Sequence, residues 1–375
     1  MLKVNALILG KSGSGKSSLL NYLWGAKIAD VAAGRPVTPE SDSSSQGIYP
    51  YPPVILDELQ LVIHDSWGME ANKAEKWKDL IKKESQKCDS SNKISNWIHT
   101  IIYCVSAKGA RIEDFELDSI ISPLIADGNR ILFVLTKADI ASENEKVSLR
   151  NILTSQFPHQ SGIIEVSSHS QLLRSGKRTE AFGREEMLEA ILSNLRQNLI
   201  EKIPTQLLRR AREGTATLRR EAIAYYNKEA GFTRTYPAVL SEVGALVQND
   251  SSKLVININL WVEQALKDAA EIYHLVGMQF SPNNFSKNDN KTFSGAAFLT
   301  QSNISWKAED YIANTLFHLV PGINILFMFA KKEMHRNMLI EKLDEGINSF
   351  ENDIVKIAQQ IHSKLGEVLA LPAPT

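Results

Sequence analysis

Through roughly the first 200 residues, short apolar runs alternate with amphipathic stretches, and long helical stripes follow them. Leu2 to Leu9 is a mostly apolar run that reads as a buried strand, and Ser18 to Trp24 reads as a helix. Ala26 to Gln46 is polar apart from the island Gly34-Arg35-Pro36-Val37-Thr38, and a loop of that length in a compact domain is usually functional. Gly47 to Leu56 suits an edge strand, because Pro52 and Pro53 cannot donate to a central ladder. Further strands are predicted at 59–64, 100–106, 130–135 and 162–166, with helices over 73–87, 113–126 and 183–197. Met187, Leu188, Ile191 and Leu195 give the last of these a face that covers the sheet. Strands that alternate with helices imply a mostly parallel sheet with helices on both faces, an α/β domain over 1–200.

From 201 to 375 the period is helical throughout. Pro204 suits the first turn of a new helix, along which Leu208, Ala211, Thr215, Leu218 and Ala222 follow in steps of three and four. Ile258, Val262, Ala265, Ala269, Ile272 and Val276 repeat the spacing, as do Leu343, Ile347, Phe350, Ile354, Ile357, Ile361, Leu365 and Val368. Such stripes predict an all-α bundle packed nearly antiparallel. The stretch 311–330 contains no Asp, Glu, Lys or Arg, but Pro321-Gly322 splits it into halves too short to cross a bilayer. It reads as an apolar insert that either joins the core or dips into one leaflet.

Composition adds bounds. A hydrophobic content of 43% and a charged content of 23% are those of a globular protein, and 375 residues favour two domains over one. A net charge of −1 provides no global field for nucleic acid or anionic membrane, so any such contact needs a local patch. Arg209, Arg210, Arg212, Arg219 and Arg220 form the one candidate, with Glu213 and Glu221 interspersed as on a solvated helix face. Two cysteines, Cys88 and Cys104, fit a reducing compartment, and the first strand begins almost at residue 1, so a cytoplasmic protein without a leader is expected.

The chemistry concentrates after strands. Gly10-Lys11-Ser12-Gly13-Ser14-Gly15-Lys16-Ser17, with Ser18 behind it, follows the first strand and opens the first helix. Its glycines let successive N–H groups converge on phosphate oxygens at a helix N-terminus. Lys16 would reach the β- and γ-phosphates, and the Ser17 hydroxyl a Mg²⁺. Asp65-Ser66-Trp67-Gly68 ends the 59–64 strand, where Asp65 can hold the Mg²⁺ shell and the Gly68 amide can meet a γ-phosphate. Thr136-Lys137-Ala138-Asp139 ends another strand. A carboxylate at Asp139 can accept both N1–H and the exocyclic N2–H of guanine, donors that adenine lacks in that arrangement, and Lys137 would lay its stem along the base. Ser167 and Ser168 follow the final strand, where a backbone amide could meet guanine O6.

These boxes, in this order, resemble the translation-factor-related class of P-loop GTPases, and within it the Era-like bacterial group. Gly15 to Asn21 and Gly34 to Pro39 carry the resemblance furthest. It implies a G domain that binds GTP and GDP with Mg²⁺ and hydrolyses GTP, with Lys16, Thr38 and Gly68 at the reacting phosphate and Thr38 as a further metal ligand. Two positions depart from relatives: Met69 stands where many small GTPases carry a water-orienting glutamine, and Gly13 where several Era-like relatives carry a cation-binding asparagine or serine. A more distant similarity to dynamin-like and immunity-related GTPases leaves open a peripheral membrane protein whose helical domain is a stalk. A nucleotide-binding scaffold with little turnover is the third reading. Expected partners are GTP and a second copy through the G domains, with membrane contact through Tyr311 to Ala330 and ribosome or RNA contact still open.

Overall fold

The computed structural model describes residues 2–24, 48–56, 59–66, 74–89, 91, 93–109, 111–160, 162–172, 176, 178–230, 234–280 and 332–369. Thr38, Gly68, Met69 and the apolar insert 311–330 lie outside the described residues. The architecture is the expected one, an α/β domain built on a mostly parallel sheet and followed by long helices.

Among the described residues the sheet has seven strands. Strand β1 (Leu2–Leu9) lies between β4 (Leu59–Ser66) and β5 (Ile98–Ser106), parallel to both. Beyond β5 come β6 (Ile131–Thr136) and β7 (Ile163–Val166), also parallel. The predicted edge strand is two short ones, β2 (Ile48–Pro50) and β3 (Val54–Leu56), both antiparallel to β4. Strand order is β2-β4-β1-β5-β6-β7. The chain therefore leaves β1 towards one side and returns to the other, which makes the carboxyl end of β1 a topological switch point, the usual place for a ligand in such a sheet.

Alternation within strands that are buried on both faces assigns the layers. Leu7, Leu9, Ile101, Tyr103, Val105, Ile131, Phe133 and Leu135 point to one face, where they join α2 (Ala74–Asp89), α3 (Ser122–Ala126) and α4 (Glu143–Gln156) through Ile81, Leu124, Leu149 and Leu153. Phe133 is packed edge-on against Tyr103 and stacked on Phe157. On the other face Val4, Ala6, Leu61 and Thr100 border a small apolar cavity with Trp24 of α1 (Lys16–Trp24) and with Ile191 and Leu195 of α5 (Arg184–Glu229).

The amphipathic reading of the segment after 183 captures that apolar face and misses a buried polar stripe beside it. Asn194 Nδ2 and Asn198 Nδ2 both donate to the Arg130 carbonyl, and Asn198 Oδ1 accepts the Arg130 amide at 2.8 Å. Lys202, 2% exposed, donates to the Ile98 carbonyl. These residues recur at i, i+4 and i+8 and satisfy backbone groups at the strand ends, which would otherwise be costly to bury.

Pro204 does not begin a helix. α5 is one helix of 46 residues with Pro204 inside it. The ring removes one intrahelical hydrogen bond. Burial on both sides, with Lys202 held at Ile98 and with Ile203 and Leu207 fully enclosed, outweighs that loss.

Within the described residues the chain divides into two compact units, one of 2–202, 268–280 and 368–369, the other of 203–267 and 332–367. The second unit is built from parts of α5, α6 (Tyr236–Phe280) and α7 (Lys332–Val368). Rising numbers on α5 meet falling numbers on both neighbours: Gly214 abuts Leu254 and Tyr225 donates to Glu242, while Thr215 donates to Glu351 and Arg219 to Asp344. The packing is thus antiparallel, as the stripes imply. The arginine stripe, read from the sequence as a solvated face, stays partly or fully exposed, with Arg212 and Arg220 the most open, while several of its members also make contacts within this unit. Arg219 is bidentate to Asp344 at 2.6 and 3.1 Å, Arg210 stacks 4.5 Å over the Trp261 ring, and Arg212 stands 3.8 Å from Glu351. Among the described residues no helix is long and apolar enough to cross a membrane.

Candidate nucleotide site

The carboxyl ends of β1, β4 and β6 bring the motifs together. Register sets Ile8 opposite Asp65, and Ser106 opposite Thr136, so Gly10, Asp65 and Thr136 end their strands on one edge of the sheet. Three glycines of the 10–17 loop take left-handed φ values: +138° at Gly10, +75° at Gly13 and +90° at Gly15. At Gly10 the requirement is also steric, since a Cβ would lie 2.3 Å from the Cys104 carbonyl oxygen of β5. Gly13 faces open space, as a backbone that is to meet a phosphate must.

Lys16, 7% exposed, sits beneath this loop and donates to the carbonyls of Gly10 at 2.9 Å and Lys11 at 3.2 Å. Burial lowers its pKa from the ordinary value, and the Asp65 carboxylate partly opposes that shift. Beside it Cys104 is fully buried, and burial pushes its thiol up to about 12. Asp65 is itself fully buried, and its Oδ2 accepts the Tyr51 hydroxyl at 2.9 Å. Tyr51 is a site residue that the sequence reading misses. It lies between β2 and β3, where its amide donates to the Ile63 carbonyl at 2.8 Å.

Two long-range contacts fasten the Thr136–Asp139 segment to the 10–17 loop. Thr136 Oγ1 donates to the Ser14 carbonyl at 2.5 Å, and Lys137 Nζ donates to the Gly13 carbonyl at 2.7 Å. Lys137 holds a left-handed φ of +55°, which turns the chain at the end of β6. Asp139 follows. Its Oδ2 accepts the Thr179 hydroxyl at 2.8 Å, and its Oδ1 is buried with no hydrogen-bond partner among the described residues. The Ser14 hydroxyl, also buried, likewise has none there. An acceptor and a hydroxyl left over at one sheet edge are the donor and acceptor set that a nucleotide would complete.

Ser167 is less available than the sequence reading allows. Its amide donates to the Phe182 carbonyl and its hydroxyl to the His169 carbonyl, so neither is left over for a ligand.

The loop's second residue makes a further network that no motif announces. Lys11 Nζ lies 2.8 Å from carboxylate oxygens of both Glu113 and Glu116, and Glu116, 2% exposed, also accepts the Tyr103 hydroxyl and the Glu113 amide. Burial lowers the Lys11 pKa, but the two carboxylates raise it above the ordinary value on balance. Glu116 begins a π-helical stretch, Glu116–Ile121, within the segment predicted as plain helix. The wider turn has no residue signature.

α4 is also absent from the sequence reading, although its signal was present. Ser142 and Glu145 form a complete capping box, and Glu145 reaches on to the Gly109 amide at 3.0 Å. That bond ties the loop after β5 to the helix after β6.

No family model matches the chain, and no curated protein matches it. Among solved structures it is similar to Toc33 from Arabidopsis thaliana in complex with Mg²⁺ and GMPPNP, at 15% identity and a TM-score of 0.38, over 53% of this chain and 87% of that one. A septin GTPase domain from Chlamydomonas reinhardtii matches at 13% identity and a TM-score of 0.37, over 52% and 92%. The bacterial selenocysteine-specific elongation factor EF-Sec matches at 19% and 0.32, over 52% of this chain and 29% of that one. At these scores the likenesses carry no argument about activity and do not single out the Era-like group, so the functional reading rests on this chain's own geometry.

Proposed function

We propose that the chain binds GTP and GDP with Mg²⁺ and hydrolyses GTP to GDP and phosphate. The observation that carries the reading is the fastening of Thr136 and Lys137 to the carbonyls of Ser14 and Gly13. With it, the spare Asp139 oxygen and the phosphate loop address one ligand. The roles are those of the motifs. The loop amides and Lys16 bind phosphate oxygens, and Asp139 selects the base. Ser17 and Asp65, with Thr38, would hold Mg²⁺; the buried carboxylate of Asp65 and a hydroxyl are the hard oxygen donors that ion takes. When bound, the ion offsets charge that develops on the transferring phosphoryl group. Lys16 shares that work from a site shielded from water, where its charge acts at lower dielectric.

The test is a competition titration in Mg²⁺ followed by phosphate release under multiple turnover. GTP and GDP are expected to displace a labelled guanine nucleotide at concentrations at least about a hundredfold below ATP. Comparable affinities for ATP and GTP would overturn the base assignment, and release limited to less than one equivalent would leave a binding protein in place of an enzyme.

A further inference from the structure

Between β7 and α5 the chain makes a small antiparallel excursion: Ser167 pairs with Phe182, and Leu172 with Arg178. No motif covers it. Its inner position is Thr179, whose amide donates to the Gln171 carbonyl at 2.8 Å while its own carbonyl accepts the Ser170 hydroxyl at 2.8 Å. The Thr179 hydroxyl is fixed at both ends. It accepts the Gln171 amide at 2.9 Å, so its single proton is left to point elsewhere, and the Asp139 Oδ2 stands 2.8 Å away. The Gln171 carbonyl, at 3.4 Å, is the poorer acceptor.

We propose that Thr179 is a positioning residue for base recognition, holding the Asp139 carboxylate in the orientation that reads guanine; this rests on the guanine-nucleotide reading above. A carboxylate rotates readily about its last torsion, which is broad and roughly two-fold. To accept N1–H and N2–H together, its plane must match the base edge, and a free carboxylate loses that match whenever it turns. The Thr179 proton restrains one oxygen. Each carboxylate oxygen has about two lone-pair sites, so Oδ2 keeps a site for the base while Oδ1 offers its own. The restraint comes from 40 residues further along the chain, on backbone that is itself hydrogen-bonded across the excursion. Base preference in this chain therefore depends on a threonine outside the recognised boxes.

The experiment compares GDP, inosine diphosphate and ADP on the full chain and on Thr179→Val and Thr179→Ser. Inosine keeps N1–H and lacks the 2-amino group, so it needs one carboxylate oxygen where guanine needs two. Thr179→Val is expected to weaken GDP about tenfold, the loss of one donor to a charged acceptor, and inosine diphosphate by less than about threefold. The preference between the two then falls, and Thr179→Ser restores it. A Val variant with the full preference overturns the proposal. So does one that loses all three nucleotides in proportion with a lowered melting temperature, since that is a fold defect alone. If the Val variant does not fold, Thr179→Ala carries the same arms. Failure of the underlying reading is seen separately, as an unmodified chain that does not prefer GDP to ADP.

Discussion

Lys16→Met is expected to lose nucleotide affinity by about a hundredfold or more, on the order of 3 kcal/mol, while the ligand-free protein melts no lower than the unmodified one. The two effects have one cause. Lys16 is enclosed beneath the loop, so its ammonium is desolvated and is compensated chiefly by the carbonyls of Gly10 and Lys11 and by the Asp65 charge. Bound phosphate supplies the strong counter-charge that this arrangement lacks, and removing the ammonium removes charge-assisted bonds to it. Methionine keeps the apolar length of the stem without the charge, which avoids opening a cavity.

The folded-state pKa of Lys16 lies below its unfolded value, so between the two the unfolded chain binds more protons. The Lys16 contribution to stability therefore rises with pH between that lowered value and the ordinary lysine range, and is lowest below both. Thermal melts of both proteins at neutral and alkaline pH, with a labelled-GDP titration, measure both parts. A Met variant that binds GDP normally, or that is clearly less stable at neutral pH, would contradict this account.

Asp139→Asn is expected to move base preference from guanine to xanthine by about a thousandfold, on the order of 4 kcal/mol in relative affinity. Xanthine presents a carbonyl where guanine presents its 2-amino group, so a side chain with one acceptor and one donor matches it and leaves guanine N2–H facing an N–H. The swing is large because the Oδ1 position is buried and has no other partner among the described residues, so a mismatched group there is left unsatisfied. Competition with xanthosine and guanosine diphosphates reads it directly. An Asn variant that still prefers guanine would show that Asp139 does not face the base.

The centre of this fold was legible, and the reasons are local. β1 is a mostly apolar run ended by a loop whose glycines take left-handed angles, so the strand, its carboxyl end and the turn that follows are all written in the consecutive positions 2–17. The ends of β4 and β6 were similarly readable through Asp65 and Thr136. What was not legible depends on distant partners. Asn194, Asn198 and Lys202 look like the polar side of a surface helix until the open carbonyls of Arg130 and Ile98 are known to lie beneath them. Pro204 looks like a helix start because propensity is local, whereas the burial that carries α5 through it is not. Thr179 is one polar residue in a polar stretch, and only the tertiary fold sets it against Asp139.

The closeness of Gly10 to β5 turns Cys104 into a clock. With the loop backbone lying on its carbonyl and its thiol held near 12 by burial, Cys104 has almost no thiolate and no route to reagent while the floor of the loop is closed. Alkylation must then wait for local opening, and its rate measures how often the phosphate loop lifts from the sheet. Cys88 on α2 is half-buried and reports the same reagent in the same tube. Added GDP is expected to slow Cys104 in proportion to site occupancy and to leave Cys88 unchanged, because a ligand that binds only the closed form subtracts from the open population. Equal slowing at both cysteines would mean that the two thiols respond to one global unfolding step.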